Sequence, residues 1–412
     1  MPLESTNPNA AAVEATAAPK LLTVLMLAYL VLDYGRPQDV VPGLGAARPA
    51  AIVTVLLAAA YLAMPRYWVG AKQFYAVWAF VGLLAAWVPL ATNNFYAYQT
   101  FLAMVLILPL VLSVPACLRT LPAVRGTLGF CVLLMTFQAS WAILHGGRGT
   151  GATLWDQNDL ALFVNTFLPF AYFFFRVEKR VLRKLFYAAA MVVGIAAIVA
   201  TRSRGGFVGL LGIGAVMWLL GAKKIRSLLM IAALAGCLAL VANASYWQRI
   251  STATDSATGT GRIRLESWKA GWSMFLHNPL GVGGGNFPVK FADYQDRYFQ
   301  RGMWGRMAHS LWFTLLPELG VPGAIVYGWL MFLNFRDSFR MRRLGRAAGG
   351  ADGALLSALG SAFLASFAGF FASGTFLSVL YYPHYWYLTG FVVATVAAAA
   401  SMRPGEGAVS TS

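Results

Sequence analysis

Residues 100–117 read TFLAMVLILPLVLSVPAC, eighteen positions without one charged side chain. A helix needs about 20 apolar residues to cross a bilayer, and this block has that length and polarity. Similar blocks recur on both sides of it, at about 21–34, 50–64, 74–91, 126–145, 158–175, 182–200, 205–222, 226–243, 309–335, 354–378 and 384–402. Charged residues collect in the short loops between them. The chain of 412 residues is 59% hydrophobic and 11% charged, whereas a soluble domain carries about 25% charged residues. No block alternates residue by residue, as the strands of a membrane barrel would. The fold class is therefore an all-α polytopic membrane protein with about twelve transmembrane helices.

The distribution of Lys and Arg orients these spans. With the N-terminus inside, nineteen fall in inside loops and tails, against five (Arg36, Arg48, Arg148, Arg202 and Arg204) in short outside loops. That bias follows the positive-inside rule and accounts for most of the net charge of +17 without nucleic acid. Residues 1–20 then form a disordered Ala-, Thr- and Pro-rich cytoplasmic segment with no cleavable signal pattern. Residues 21–243 carry spans one to nine, 244–308 a large periplasmic loop with an interfacial helix, 309–402 spans ten to twelve, and 403–412 a cytoplasmic tail. The three cysteines, Cys117, Cys131 and Cys237, lie in or beside apolar blocks and have neither metal nor disulfide spacing. On the outer face there is no ATP and no nucleotide sugar, so chemistry there needs a substrate activated beforehand and delivered by the membrane.

Three features gather at that outer level. The first is Thr201-Arg202-Ser203-Arg204-Gly205-Gly206, at the start of the eighth span. A helix N-terminus with arginines and glycines suits a phosphate, and loop arginines snorkelling to headgroups are the competing reading. The second is residues 261–285, GRIRLESWKAGWSMFLHNPLGVGGG. Its helical part places Arg264, Trp268 and Trp272 at i, i+4 and i+8, on one face, with the tryptophans suited to a membrane interface. Arg262 points away from Arg264 on such a helix. Asn278-Pro279 ends it and the glycines make a tight turn. An interfacial helix without a ligand remains the alternative. The third is His309, in Arg306-Met-Ala-His309 at the mouth of the tenth span, with Glu318 nine positions further in. A histidine is a natural base near neutral pH, and an intramembrane carboxylate is a functional candidate. Each also has a structural reading: a polar residue at a span end for His309, and a bond between helices for Glu318. No His, Cys or carboxylate cluster has metal spacing, so the expected chemistry is metal-independent and needs no cofactor.

Taken in order, Asp156-Gln-Asn158-Asp-Leu-Ala161, Ser203-Arg204-Gly205-Gly206, Arg264-Leu-Glu-Ser-Trp268, His277-Asn-Pro-Leu-Gly-Val-Gly283 with Asn286-Phe287, and His309-Ser-Leu-Trp leading to Glu318-Leu-Gly320-Val-Pro-Gly323 resemble the O-antigen ligase (WaaL) and O-antigen polymerase (Wzy-like) superfamily of bacterial membrane glycosyltransferases. The resemblance spans roughly residues 150–330. It implies a GT-C-like fold in the inner membrane with its active site on the periplasmic face. It also implies a donor glycan on undecaprenyl pyrophosphate and, for a ligase, lipid A–core oligosaccharide as acceptor. By resemblance, Arg204 and Arg264 hold the pyrophosphate, with Arg202 and Arg262 as neighbouring substitutes, and His309 activates the acceptor hydroxyl. Trp268, Asn158, Glu318 and Arg306 would support them. A polymerase or a protein O-glycosylating enzyme would share the donor chemistry, and an anion transporter is the reading from another class. Membrane lipids are expected partners, and the oligomeric state stays open.

Overall fold

The computed structural model describes residues 18–221, 260–296 and 305–400. The expected ninth span at 226–243, Cys237, most of the N-terminal segment, part of the large loop and the C-terminal tail lie outside the described residues. Within them the regular elements are helices: α1 (Lys20–Leu30), α2 (Pro49–Leu62), α3 (Lys72–Trp87), α4 (Asn94–Cys117), α5 (Leu121–Leu144), α6 (Gln157–Val177), α7 (Val181–Thr201), α8 (Arg204–Leu220), α9 (Thr260–His277), α10 (Phe287–Tyr294), α11 (Trp312–Ala348), α12 (Gly350–Gly374) and α13 (Pro383–Ala400). Seven stretches among the described residues are long and apolar enough to cross a membrane: Leu44–Leu62, which contains α2, and α4, α5, α6, α7, α11 and α12. The other expected spans correspond to α1, α3, α8 and α13, of 11, 16, 17 and 18 residues. α1 runs into a single π-helical turn, Val31–Gly35, and Arg36 then turns left-handed before the short helix Pro37–Val40. The Tyr34–Asp39 segment is thus a tight corner.

α6, α12 and α13 form the centre, buried over most of their length. Phe163, Phe167, Phe170 and Phe174 recur down α6 at i, i+4, i+7 and i+11. They pack with Phe363 of α12 and one another, while Tyr385 of α13 joins Phe367, Phe370 and Phe371 of α12. Rings at that spacing give an interior helix contacts on more than one side. α8 lies against this core through small residues. Asn165 of α6 donates to the Gly206 carbonyl at 2.9 Å and to Ser373 Oγ of α12 at 3.2 Å. A Cβ at Gly209 would overlap both side chains, so only glycine permits the approach. Small residues at such contacts are the usual route to close helix packing in lipid.

α11 is broken at Gly320 (φ 60°, ψ −157°). Pro322 lacks the N–H that would reach the Glu318 carbonyl inside a helix. The glycine turn after α9 supplies the missing bonds: Gly283 N–H donates to the Glu318 carbonyl at 2.9 Å and Val282 N–H to the Pro317 carbonyl at 2.9 Å. Val321 N–H in turn donates to the Pro279 carbonyl at 2.8 Å. The Pro317 and Glu318 carbonyls and the Val321 N–H thus find partners across the break, as a buried break requires. Gly281 (φ 102°) and Gly320 sit where a Cβ would overlap the opposite backbone. This clasp fastens the end of α9 to α11.

Candidate functional site

Ser203 is the N-cap of α8. Its Oγ accepts from Gly206 N–H at 3.0 Å and donates to Asn158 Oδ1 at 2.7 Å. Asn158 is held by Asp156, the N-cap of α6, whose Oδ1 accepts from its backbone N–H at 2.8 Å and from its side-chain nitrogen at 3.0 Å. The caps of two helices are thereby tied together. A cap at 203 puts Arg204 at the first helical position and leaves Arg202 in a left-handed residue (φ 51°) ending α7. Arg202 points to the exterior, while Arg204 is half-buried.

On α9 the i, i+4 relation holds for Arg264 and Trp268. With Arg204, Val208, Gly261, Leu265 and Phe376 they line an open cleft of about 360 Å³. Arg262 is exposed and does not line it, and Trp272 lies outward beside Phe275. One arginine of each sequence pair therefore reaches the cleft. Burial, and then the charge of Arg204, depress the Arg264 guanidinium below the usual arginine range. Two like charges brought together at one opening repel each other unless an anion lies between them. Val208, Leu265 and Phe376 give the cleft apolar walls.

His309 is half-buried next to this cleft. It occupies the left-handed region (φ 48°), a conformation that a non-glycine residue holds only when its surroundings enforce it. Burial pushes its imidazole below the ordinary histidine value. The charges of Arg264 and then Arg306 act in the same direction, and Asp156 opposes them. The ring is therefore neutral at neutral pH, the form that accepts a proton. Trp268 Nε1–H donates to the carbonyl of Ala308 at 3.0 Å, and its indole stacks on Phe313 at 5.3 Å and 9°. On the other side, Leu311 N–H donates to the Gly374 carbonyl at 2.8 Å, and Trp312 Nε1–H to Thr375 Oγ1 at 3.1 Å.

Glu318 stands apart from the cleft. Its Oε2 accepts from Gly285 N–H at 2.8 Å and from the Tyr381 hydroxyl at 2.6 Å, and its Oε1 from Phe287 N–H at 3.1 Å. It locks the clasp. Asn286 extends the lock: its Oδ1 accepts from Asn93 N–H at 2.8 Å and its Nδ2 donates to the Asn93 carbonyl at 3.2 Å. Phe376, Val208 and Tyr381 carry no signal in a single sequence. Asp159, which accepts from the Tyr382 hydroxyl at 3.0 Å, lay within a quoted motif without an assigned role.

Two cations line one apolar-walled cleft, with the His309 imidazole close enough to Arg264 to feel its charge. Residues 167–328 match the family model described as O-antigen ligase (Wzy_C). Over that segment the resemblance read from the motifs is borne out, and the match includes Arg204, Arg264, His309 and Glu318. It supports, in general terms, an enzyme of the glycan ligase and polymerase type working in a bacterial membrane. Among curated proteins none matches the chain.

Proposed function

We propose that this protein is an O-antigen ligase. It transfers a glycan en bloc from undecaprenyl pyrophosphate to a sugar hydroxyl of lipid A–core oligosaccharide, on the periplasmic face of the inner membrane. The observation that carries the reading is the convergence of Arg204 and Arg264 on one cleft beside His309. The topology that goes with it has about twelve spans, an inside N-terminus and a periplasmic loop before α11. In that frame the ends of α7 and α12 and the starts of α6, α8 and α11 face outside. The loop at 244–308 carries eight Lys and Arg against four acids, which suits a phosphorylated acceptor.

The step balances simply. The acceptor oxygen attacks the anomeric carbon in line, the bond from that carbon to the pyrophosphate oxygen breaks, and the configuration inverts. His309 takes the hydroxyl proton, a contribution of roughly 10²- to 10⁴-fold. The guanidinium groups of Arg204 and Arg264 stabilise the charge growing on the leaving oxygens. Pyrophosphate leaves without a general acid, so the scheme needs no metal.

A transfer assay with purified protein, an undecaprenyl-pyrophosphate-linked glycan and lipid A–core in EDTA tests this reading. Core glycosylation that persists in EDTA and vanishes in His309→Ala is the expected result. Longer carrier-linked chains with an unmodified core would make the protein a polymerase instead. Absence of transfer to any acceptor would return the site to anion transport.

A further inference from the structure

We propose that Trp268 is a positioning residue for His309: its indole N–H holds the Ala308 carbonyl and fixes the left-handed turn from which the imidazole faces the arginines. The inference rests on the assignment of His309 as the base. The contact joins residues 40 apart in sequence at 3.0 Å, and Ala308 is buried. His309 at φ 48° needs restraint on both sides to stay in that region. Downstream, the restraint is the bond from Leu311 N–H to the Gly374 carbonyl and the bond from Thr314 Oγ1 to the Ser310 carbonyl. Upstream, among the described residues, it is the Trp268 bond.

The residue type matters. A phenylalanine could stack on Phe313 and wall the cleft, but only the indole brings a hydrogen-bond donor to the Ala308 carbonyl. Arg264 lies one turn earlier on the same helix. One rigid element therefore carries both a cleft arginine and the brace for the base, and α9 sets their separation. The clasp, at the far end of α9, keeps that helix against α11.

The test is Trp268→Phe in the full-length protein, with Phe313→Leu as its counterpart. The first keeps the stack and loses the donor; the second keeps the donor and loses the stack. The direct readout is the pH midpoint for carbethoxylation of His309 by diethyl pyrocarbonate, located by mass spectrometry, with exposed His277 as internal reference. The charged groups facing His309 are Arg264 from α9, Arg306 from its own loop and Asp156 from the start of α6. A loosened imidazole moves into water and away from Arg264. In Trp268→Phe its midpoint should rise towards the ordinary histidine value. Phe313→Leu should leave the His309 midpoint at its wild-type value. In the transfer assay Trp268→Phe should lower kcat about tenfold with donor KM unchanged within about twofold.

An unchanged His309 midpoint in Trp268→Phe overturns the proposal. So does an equal shift in Phe313→Leu, which would credit the stack. A rise in donor KM at constant kcat would make Trp268 a wall of the donor cleft and also overturn it. The modification readout requires no transfer, so it remains decisive if the chain catalyses some other reaction.

Discussion

The cleft and the clasp sit at opposite ends of α9 and use ionisable side chains in opposite ways. In the clasp, the Glu318 carboxylate is 2% exposed and accepts three hydrogen bonds from the protein. In the cleft, Arg204 and Arg264 are half-buried and line an opening. A buried carboxyl group whose oxygens are saturated by the fold has its partners already, whereas like charges gathered at a cavity are, in the proposed function, completed by a ligand. An intramembrane ionisable residue is a functional candidate by default. Its partners decide.

The comparison breaks most visibly at the cleft. His309→Ala should lower transfer by roughly 10²- to 10⁴-fold, measured as single-turnover rates on folded protein. A smaller loss would remove the base from the scheme. Arg204→Ala or Arg264→Ala should each cost about 10²- to 10³-fold, the size expected when one group that stabilises developing charge is removed. Arg202→Ala and Arg262→Ala, exposed outside the cleft, should stay within about threefold by the same single-turnover assay. Equal losses in all four would mean that general positive charge, not the cleft, matters.

At the clasp the ordering reverses. Glu318→Ala leaves the Gly285 and Phe287 N–H groups and the Tyr381 hydroxyl without their acceptor, at about 1–3 kcal/mol for each group left unsatisfied. Thermal unfolding in detergent should show a clear loss of stability, while turnover per folded molecule falls far less than in the arginine variants. Full stability with abolished turnover would move Glu318 into the chemistry. Gly320→Ala should destabilise in the same direction, since φ 60° and the nearby Leu280 backbone both disfavour a Cβ.

The smallest effect is in pH. Burial and the neighbouring arginines depress the His309 pKa, so the neutral base persists to lower pH than an ordinary histidine would allow. The acid limb of kcat/KM, which reports the free enzyme, should have its midpoint below about 6.5. Arg306→Gln should move that midpoint upward, because one of the charges opposing protonation is gone. A downward shift would contradict the assignment.

Much of this was legible in the sequence, for physical reasons that differ by element. The apolar blocks announced helices because a bilayer demands length and low charge. α11 runs past the expected end at 335 to Ala348, where Asp337 holds Gln73 of α3 at 2.6 Å. Hydropathy carries no information about that contact. The pairing of Arg264 with Trp268 followed from helical periodicity, and Trp272 left the common face because α9 meets the cleft over its first turns only. The choice of Arg204 over Arg202 was encoded in Ser203, a helix cap, which fixes where the eighth span begins. Pro322 announced an orphaned carbonyl at Glu318, but not that residues 279–283 would satisfy it. Phe376 and the bond from Trp268 to Ala308 arise from tertiary packing alone.

The central claim is that Arg204 and Arg264 bind the pyrophosphate head and His309 acts only in the chemistry. Equilibrium binding of undecaprenyl pyrophosphate to wild type, Arg204→Ala, Arg264→Ala and His309→Ala tests it most directly. Both arginine variants should bind at least about tenfold more weakly, a loss of about 1.4 kcal/mol or more, and His309→Ala should bind like wild type while failing to transfer. Wild-type affinity in both arginine variants would contradict the account.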